Sequence, residues 1–411
     1  FKFAEKTASA TLDKFGWLDR LPPSQQSRKF KEVTGLKDDL RPLQQAIIPI
    51  AEAMAAPQLV IVEAPMGEGK TEAAWYVADC WDRRGGAGTY VALPTMATSN
   101  QMFDRVQAFL AASQGKSNLM LQHGKASLND RFEKLQFAAR VYDTDNSRTA
   151  SGVVAEEWFA KNKKHGLLAP FGVGTIDQVL LAVLQTKHVF VRLFGLAGKC
   201  VILDEVHAYD AYMTTLMERL LRWLAALGCP VVLLSATLPR EKRARLLKAY
   251  AGDSTPEPKE ESYPRVTTVA VGGTPEVKAV EADPARAKTV NLNWVAEADL
   301  VGQLDAALKD GGCAAVIRNT VGLAQSTYTQ LKDAFAGTDV EVELFHARFP
   351  FGRRQQIEKS VLDRYGKGEG GKPENPQRPK RAVLVATQVI EQSLDLDFDV
   401  MVSDVAPADL V

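Results

Sequence analysis

The residues best suited to chemistry form a glycine-rich loop, residues 64–71, which follows an apolar run and precedes a helical pattern. Gly67 and Gly69 allow the backbone to curl, so that successive N–H groups can converge on an anion. Lys70 would then reach the β- and γ-phosphates of a nucleoside triphosphate, and the Thr71 hydroxyl would hold Mg²⁺. The order of strand, loop and helix therefore predicts a nucleotide-phosphate site.

Two adjacent carboxylates follow a second apolar run, residues 201–203. Because the carboxyl ends of strands in an open α/β sheet form its ligand-binding edge, Asp204 and Glu205 should lie there. Asp204 would hold Mg²⁺, and Glu205 would orient and deprotonate the attacking water. His207 is predicted to couple this site to a second lobe rather than to bind metal, since no second His or Cys lies at ligand spacing.

Four further residues complete the predicted nucleotide site and its coupling. Gln44 precedes the phosphate loop and can read the N6/N7 edge of adenine, although an exposed helix position is the commoner fate of a glutamine. Glu68 lies within the loop itself. Ser235 and Thr237 follow the apolar run 231–234, where small hydroxyls can relay the nucleotide state or simply cap a helix.

A third group of polar residues follows apolar runs in both halves of the chain. Hydroxyl groups and backbone amides at such positions can grip successive phosphates of a nucleic acid, although each alone is more often an ordinary helix cap. The predicted contacts are Pro94, Thr95, Thr175, Asn319, Thr320 and Thr387. Asp395 is a candidate contact to the ATP ribose or to an interface.

Short apolar runs alternate with helical patterns along the chain, which predicts parallel sheets built from βαβ units. The runs are continuous rather than alternating, which indicates strands that are covered on both faces. The expected strands are residues 59–62, 90–93, 201–203, 231–234, 314–317, 342–345, 382–385 and 400–402. Helical patterns at residues 72–81 and 213–227 lie between them.

Shifts in composition divide the chain into four parts. We expect residues 1–40 to be a linker or the end of an upstream domain, and residues 41–250 to form a first, ATP-binding lobe. Residues 251–290 are charged and rich in Pro and Gly, and are expected to form a connection or insertion. Residues 291–411 are expected to form a second lobe.

The overall composition limits the possible functions less than these motifs do. Lys and Arg together number 50, as do Asp and Glu, so a formal net charge of zero neither predicts nor excludes a nucleic-acid partner. The four cysteines form no CxxC pair, which favours reduced thiols in an intracellular protein. No apolar stretch is long enough to span a bilayer, so no membrane association is expected.

Taken in order, these segments resemble the motif series of superfamily-2 DExH helicases. Three of them, MGEGKTEA at 66–73, DEVHAYD at 204–210 and ATQVIEQSLD at 386–395, resemble the CRISPR-associated helicase–nucleases of type I systems. The resemblance implies two tandem RecA-like lobes, each a mostly parallel sheet flanked by helices. It also implies ATP-driven 3′-to-5′ movement on the displaced single DNA strand of an R-loop, recruitment by the Cascade complex, and a place in the prokaryotic cytoplasm.

Two features depart from that family's pattern. Its nuclease domain carries an HD pair that binds transition metals such as Fe or Co, but none of the five histidines here is followed by Asp. We therefore expect the nuclease step to lie in a domain outside this chain. The chain also stops at Val411, before the Gln/Arg-rich motif that supplies an arginine finger, so we expect it to bind ATP but to hydrolyse it slowly.

Two alternatives remain open from the sequence. The chain could be an RNA helicase of the DExH type, because contacts to the backbone distinguish DNA from RNA poorly. It could instead be a clamp that grips nucleic acid when ATP binds, without moving along it. The adjacent carboxylates Asp204 and Glu205 favour hydrolysis over such a clamp.

Overall fold

In a computed structural model the chain forms two compact units, Phe1–Ala287 and Lys288–Val411. Residues described by the structure are 6–7, 10–11, 28–111, 116–122, 152–154, 165–185, 187–209, 211–282, 291–366, 375–390 and 396–405. Within these ranges each unit contains one predominantly parallel sheet, as the alternation of apolar runs and helical patterns predicts.

The first unit is built around a sheet of nine described strands in the order β4-β3-β5-β2-β6-β7-β1-β8-β9. These are β1 (Gln58–Glu63), β2 (Thr89–Leu93), β3 (Lys116–Gln122), β4 (Gly152–Val154), β5 (Phe171–Thr175), β6 (Cys200–Leu203), β7 (Val231–Ser235), β8 (Arg265–Ala270) and β9 (Glu276–Ala279). Strands β1 to β7 pair in parallel, whereas β8 and β9 are antiparallel. The carboxyl ends of β1, β2, β5 and β6 consequently share one edge of the sheet.

Eight helices described in the first unit cover both faces of its sheet. They are α1 (Phe30–Thr34), α2 (Pro42–Ala53), α3 (Lys70–Arg83), α4 (Met96–Ala111), α5 (Ile176–Leu180), α6 (Val189–Leu196), α7 (Ala211–Ala226) and α8 (Arg240–Ala251). Successive residues of a strand point to opposite faces. Val60 and Val62 therefore join the core beneath α1 to α4, while Leu59 and Ile61 join the core beneath α5 to α8.

The second unit contains a parallel sheet of four described strands in the order β11-β12-β10-β13, and the structure describes three α-helices beside it. Its elements are α9 (Leu300–Ala307), β10 (Gly312–Ile317), α10 (Val321–Ala334), β11 (Glu341–Phe345), α11 (Phe351–Tyr365), β12 (Arg381–Ala386) and β13 (Val400–Ser403). Strands β10 and β12 are buried on both faces, as predicted. Edge strand β13 instead alternates half-buried and exposed residues, and Met401 is exposed, so the prediction of two covered faces is wrong there.

All eight expected strands form, each extended by one or two residues at most. Strands β3, β4, β5, β8 and β9 were not among the expected strands. Gly or Thr interrupts the apolar residues of β5 and β8, Lys278 interrupts those of β9, and the apolar residues of β3 and β4 number only three and two. Two of these strands, β8 and β9, lie within residues 251–290, the stretch expected to be a connection or insertion. Strand β8 pairs with β1 along its whole length, so this stretch completes the first sheet.

All four cysteines are buried, and none of them forms a disulfide. This agrees with the reduced thiols that their spacing predicts. Among the helices that the structure describes, none combines the length and the apolar character needed to cross a bilayer.

Candidate active site

The phosphate loop lies between the buried strand β1 and the start of α3, as the sequence predicts. Gly67 and Gly69 have φ angles of 82° and 80°, in the left-handed region that glycine adopts without strain. Gly69 is the N-cap of α3, so the loop ends at a helix N-terminus, which favours bound anions. The local backbone thus has the form that a triphosphate site requires.

Lys70 begins α3 and folds its side chain back over the loop. Its Nζ donates hydrogen bonds to the carbonyl oxygens of Ala64 at 2.6 Å and Pro65 at 3.2 Å. Burial lowers the pKa of Lys70, while the negative charges of Glu205, Asp204 and Glu68 act to raise it. An ammonium held by neutral carbonyls can exchange them for phosphate oxygens, which are stronger acceptors.

Asp204 and Glu205 follow β6 and lie in the field of Lys70, so the structure brings the predicted loop and carboxylates together. Burial and the neighbouring charge of Glu205 raise the pKa of Asp204 to about 6, and Lys70 opposes this rise. Burial also raises the pKa of Glu205, again against Lys70. The backbone is anchored on both sides, because Asp204 N–H donates to Ala92 O at 3.0 Å and Asp204 Oδ1 accepts the Glu205 N–H at 2.9 Å.

Glu205 has a φ of 53°, which places a residue other than glycine in the left-handed region. Such a conformation costs of order 1–3 kcal/mol and persists only where the surroundings hold it. In this conformation Glu205 Oε2 lies 3.2 Å from Nε2 of His207. The strained backbone therefore directs the predicted base toward the predicted coupling residue.

His207 connects Glu205 to the end of β7. Its Nδ1 accepts the N–H of Ala236 at 3.4 Å and lies 3.3 Å from Ser235 Oγ, whose own proton is donated to Thr237 O at 2.5 Å. Since the Ala236 N–H needs a lone pair on Nδ1, a neutral imidazole carries its proton on Nε2, facing Glu205. The ring thus donates to the carboxylate on one side and accepts from the β7 loop on the other.

Ser235 links this loop to the phosphate site. It is fully buried, and its carbonyl oxygen accepts the N–H of Ala64 at 3.2 Å. Strand β7 lies between β6 and β1 in the sheet, so Ser235 lies between the carboxylate pair and the phosphate loop. The position suits a relay, whereas Thr237 takes part through its carbonyl and has an exposed side chain.

Gln44 is buried rather than exposed, with 2% of its surface accessible. It is the third residue of α2, and its Oε1 accepts the N–H of Arg41 at 3.1 Å. A β-carbon added to Gly69 would overlap the amide of Gln44, so this side chain lies directly against the phosphate loop. Glu68 is also buried, and Thr71 is half-buried in the first turn of α3.

The nucleic-acid contacts predicted in the first unit lie at one edge of its sheet. Pro94 and Thr95 follow β2, and Thr175 is the last residue of β5. Strands β2 and β5 are neighbours, with Leu93 beside Thr175, so these positions are adjacent. The Thr95 carbonyl accepts hydrogen bonds from both the N–H and the hydroxyl of Ser99 at the start of α4.

The predicted contacts of the second unit share an edge in the same way. Asn319 follows β10 and Thr387 follows the neighbouring β12. The Asn319 amide accepts from Gln388 Nε2 at 2.9 Å and donates to Val405 O at 3.0 Å. Thr320 caps α10, since its hydroxyl accepts the N–H of Leu323 at 3.2 Å. Asp395 lies outside the described residues.

One feature beneath the phosphate loop has no counterpart in the sequence predictions. Glu63, the last residue of β1, forms buried ion pairs with Arg243 at 3.0 Å and with Arg265 at 2.8 Å. Arg265 binds it with two nitrogens, Nε and Nη2. Burial raises the pKa of Glu63 while Arg265 opposes the rise. Because the partners lie 180 and 202 residues away, no local pattern could have indicated them.

Both units match families of known proteins. Residues 41–246 match the DEAD/DEAH box helicase family, and residues 310–411 match the C-terminal region of the CRISPR-associated nuclease/helicase Cas3. The endonuclease/helicase Cas3 of Thermus thermophilus is 39% identical over all of this chain and 48% of its own length. The Escherichia coli protein is 34% identical over all of this chain and 45% of its own length.

Solved structures agree with these relatives. The crystal structure of T. fusca Cas3 with AMPPNP has a TM-score of 0.85 and 37% identity, and covers 100% of this chain and 46% of that one. A structure of a CRISPR RNA-guided surveillance complex before nicking contains a chain with a TM-score of 0.66 and 36% identity, which covers 90% of this chain and 40% of that one. This chain spans about half the length of the relatives it matches. The predicted pair of RecA-like lobes is confirmed, and the chain belongs to the Cas3 nuclease/helicases of the DEAD/DEAH box helicase family.

Proposed function

We propose that this chain is the ATP-driven motor of CRISPR type I interference and moves 3′ to 5′ along single-stranded DNA. The observation that carries the proposal is the cluster formed by Lys70, Asp204 and Glu205 at the phosphate loop. Relatives of this family have been crystallised with ATP and AMPPNP, which supports the same nucleotide here.

In this proposal the phosphate loop and Lys70 hold the triphosphate. Thr71 and Asp204 would hold Mg²⁺, which supplies charge stabilisation for phosphoryl transfer. Their oxygen donors suit that ion. The raised pKa of Asp204 also fits, because a divalent cation would offset the buried negative charge that Asp204 and Glu205 share.

Glu205 acts as the base that orients and deprotonates the attacking water. Burial raises its pKa, and a higher pKa makes a carboxylate a better proton acceptor near neutral pH. His207 fixes the orientation of that carboxylate through its Nε2 proton. Its contacts with Ser235 and Ala236 would carry the state of the nucleotide to the end of β7.

The strand would be gripped by its phosphates at Pro94, Thr95 and Thr175 of the first unit, with the second unit contributing Asn319, Thr320 and Thr387. We propose that ATP binding and hydrolysis change the grip of the two units in turn. The partner would be the displaced strand of an R-loop presented by Cascade in the cytoplasm. A nuclease domain with transition metals would cut the strand that the motor delivers.

The direct test measures ATP hydrolysis by the full-length protein with and without single-stranded DNA. We expect DNA to stimulate turnover, and Lys70→Ala to lower it by at least about 100-fold because the transferring phosphoryl group loses its cation. Glu205→Gln should bind ATP and retain it, with only a slow residual single-turnover hydrolysis. Arg222→Ala, on the exposed side of α7, serves as the control and should behave like the parent protein. An absence of DNA stimulation in the parent would contradict the motor.

Strand-displacement assays separate this proposal from its alternatives. Partial duplexes with a 3′ or a 5′ overhang test the polarity, and RNA overhangs test the nucleic acid. Unwinding that proceeds with a non-hydrolysable ATP analogue would indicate a clamp. Stronger stimulation by RNA than by DNA would indicate an RNA helicase.

A further inference from the structure

Lys242, in the first turn of α8, reaches the segment that follows the carboxylate pair. Its Nζ donates to the carbonyl oxygen of Val206 at 2.9 Å and to that of Tyr209 at 3.0 Å. Val206 is the first residue of the single 3-10 turn Val206–Ala208, which carries His207, and Tyr209 directly follows that turn. One ammonium group therefore ties the two ends of that turn together.

These hydrogen bonds matter because the turn directly follows Glu205, whose backbone conformation is unfavourable. With a φ of 53°, Glu205 keeps its conformation only if the neighbouring backbone is held in place. A second tie comes from the Tyr209 hydroxyl, which donates to the Asp204 carbonyl at 2.8 Å. Lys242 and Tyr209 thus form hydrogen bonds to the backbone on both sides of Glu205 in the sequence, at Asp204 and at Val206.

The first turn of α8 is itself fixed relative to the phosphate loop. Arg243, the next residue, pairs with Glu63 at 3.0 Å and donates to the Leu238 carbonyl at 3.3 Å. Glu63 immediately precedes Ala64, where the loop begins. A side chain that extends from this turn therefore holds the carboxylate segment at a set distance from the loop that would bind the phosphates.

We propose that Lys242 is a positioning residue for ATP hydrolysis, which holds Glu205 in its strained conformation beside the phosphate loop. The inference rests on the proposed role of Glu205 as the base. Lys242 acts through the backbone and would not touch the nucleotide. Its loss should therefore affect the hydrolytic step while leaving nucleotide binding to Lys70 and the loop amides.

The first measurement is steady-state ATP hydrolysis by the full-length Lys242→Met protein with single-stranded DNA. We expect kcat to fall about 10- to 100-fold, with KM for ATP changed by less than about twofold, because a displaced base slows only the chemical step. Lys242→Arg should recover part of kcat, since a guanidinium can also donate to two carbonyls. The matched control is Arg245→Met, on the same helix, which removes an ion pair between the exposed Arg245 and the partly buried Glu218.

A double-mutant cycle separates positioning from a general loss of structure. In a Glu205→Gln background, Lys242→Met should lower the residual single-turnover rate by less than about twofold, because the base through which it acts is already gone. An equal fold-loss in both backgrounds would overturn the inference. So would a Lys242→Met protein that loses ATP binding, or whose unfolding midpoint falls well below that of Arg245→Met.

The same cycle keeps the two proposals distinguishable. If Glu205→Gln alone left hydrolysis near the parent rate, the assignment of Glu205 as the base would fail, whatever Lys242→Met did. If Glu205→Gln abolished turnover but Lys242→Met kept the parent kcat, only the positioning role would fail.

Discussion

Asp204 illustrates how a single residue can be unfavourable for folding and necessary for chemistry. Burial and the charge of Glu205 raise its pKa to about 6, whereas an exposed aspartate in an unfolded chain titrates at about 3.9. Between these two pH values the folded state binds more protons than the unfolded state. The free energy of unfolding therefore falls as pH rises through this window, by at most about 3 kcal/mol for this group.

We expect Asp204→Asn to raise the free energy of unfolding of the nucleotide-free protein at about pH 8 by ~1–2 kcal/mol, because it removes a buried charge. The same change should abolish hydrolysis and flatten the pH dependence of stability between about pH 4 and about pH 6. Isothermal denaturant unfolding at several pH values measures both effects on stability. Asp253→Asn, at an exposed aspartate, is the control and should alter neither. If Asp204→Asn were less stable than the parent protein at high pH, the buried charge of Asp204 would not be destabilising the fold.

Sequence reasoning recovers the residues of this site where they lie within contiguous segments. Lys70, Asp204 and Glu205 follow apolar runs and could be placed at one sheet edge from that order alone. Lys242 could not be identified from the sequence, because its acceptors are backbone carbonyls 33 and 36 residues away. Every residue has a backbone carbonyl, so the residue types give no sign of this contact. The same holds for Glu63, whose arginine partners are recognisable only in the folded chain.

At the scale of elements, the phosphate loop is shaped by packing between α2 and α3 as well as by its own glycines. Gly69 has a left-handed φ, and the amide of Gln44 from α2 fills the space where a β-carbon would be. Gly85, after α3, also has a positive φ, of 93°, but no atom of the described residues lies within 4 Å of the place where its β-carbon would be. The two glycines therefore separate the effect of backbone conformation from that of close packing.

We expect Gly85→Ala to cost about 1–2 kcal/mol of stability through its backbone alone and to leave ATP binding unchanged. Gly69→Ala should carry a similar backbone penalty and should also weaken ATP binding by about tenfold or more, because it displaces Gln44 and distorts the loop. Fluorescent-nucleotide titration and denaturant unfolding of both variants give the comparison. Equal ATP affinity for the two variants would mean that the packing of Gln44 against the loop is unimportant for binding.

The element predictions found eight strands with continuous apolar runs, and missed strands such as β5 and β8, in which Gly or Thr interrupts the apolar residues. Strand β5, Phe171–Thr175, contains two glycines; the ring of Tyr90 packs against Gly172, and the Tyr90 hydroxyl lies beside Gly174. Its burial depends on a neighbouring strand rather than on its own side chains. Strand β8 contains two threonines and is a strand because it pairs with β1, a long-range contact that local composition does not encode.

At the scale of the whole molecule, the net charge and the types of the contact residues determine how strongly DNA binding depends on salt. The formal net charge is zero, so long-range attraction to a polyanion is weak. The proposed contacts in both units are hydroxyl, amide and backbone groups, and none of the six residues is Lys or Arg. Binding through neutral donors releases few counterions, since that release follows the number of phosphates neutralised by cations.

We therefore expect the affinity for single-stranded DNA to depend only weakly on salt, with a slope of log K against log salt between about −1 and about −2. Fluorescence anisotropy of a labelled oligonucleotide, from about 50 to about 200 mM salt, measures that slope directly. Thr95→Val, at a half-buried position, should weaken binding at every salt concentration without changing the slope, because it removes a hydrogen-bond donor and no charge. A slope steeper than about −4 would mean that several lysines or arginines neutralise phosphates, and that the neutral groups at the sheet edges are not the main grip.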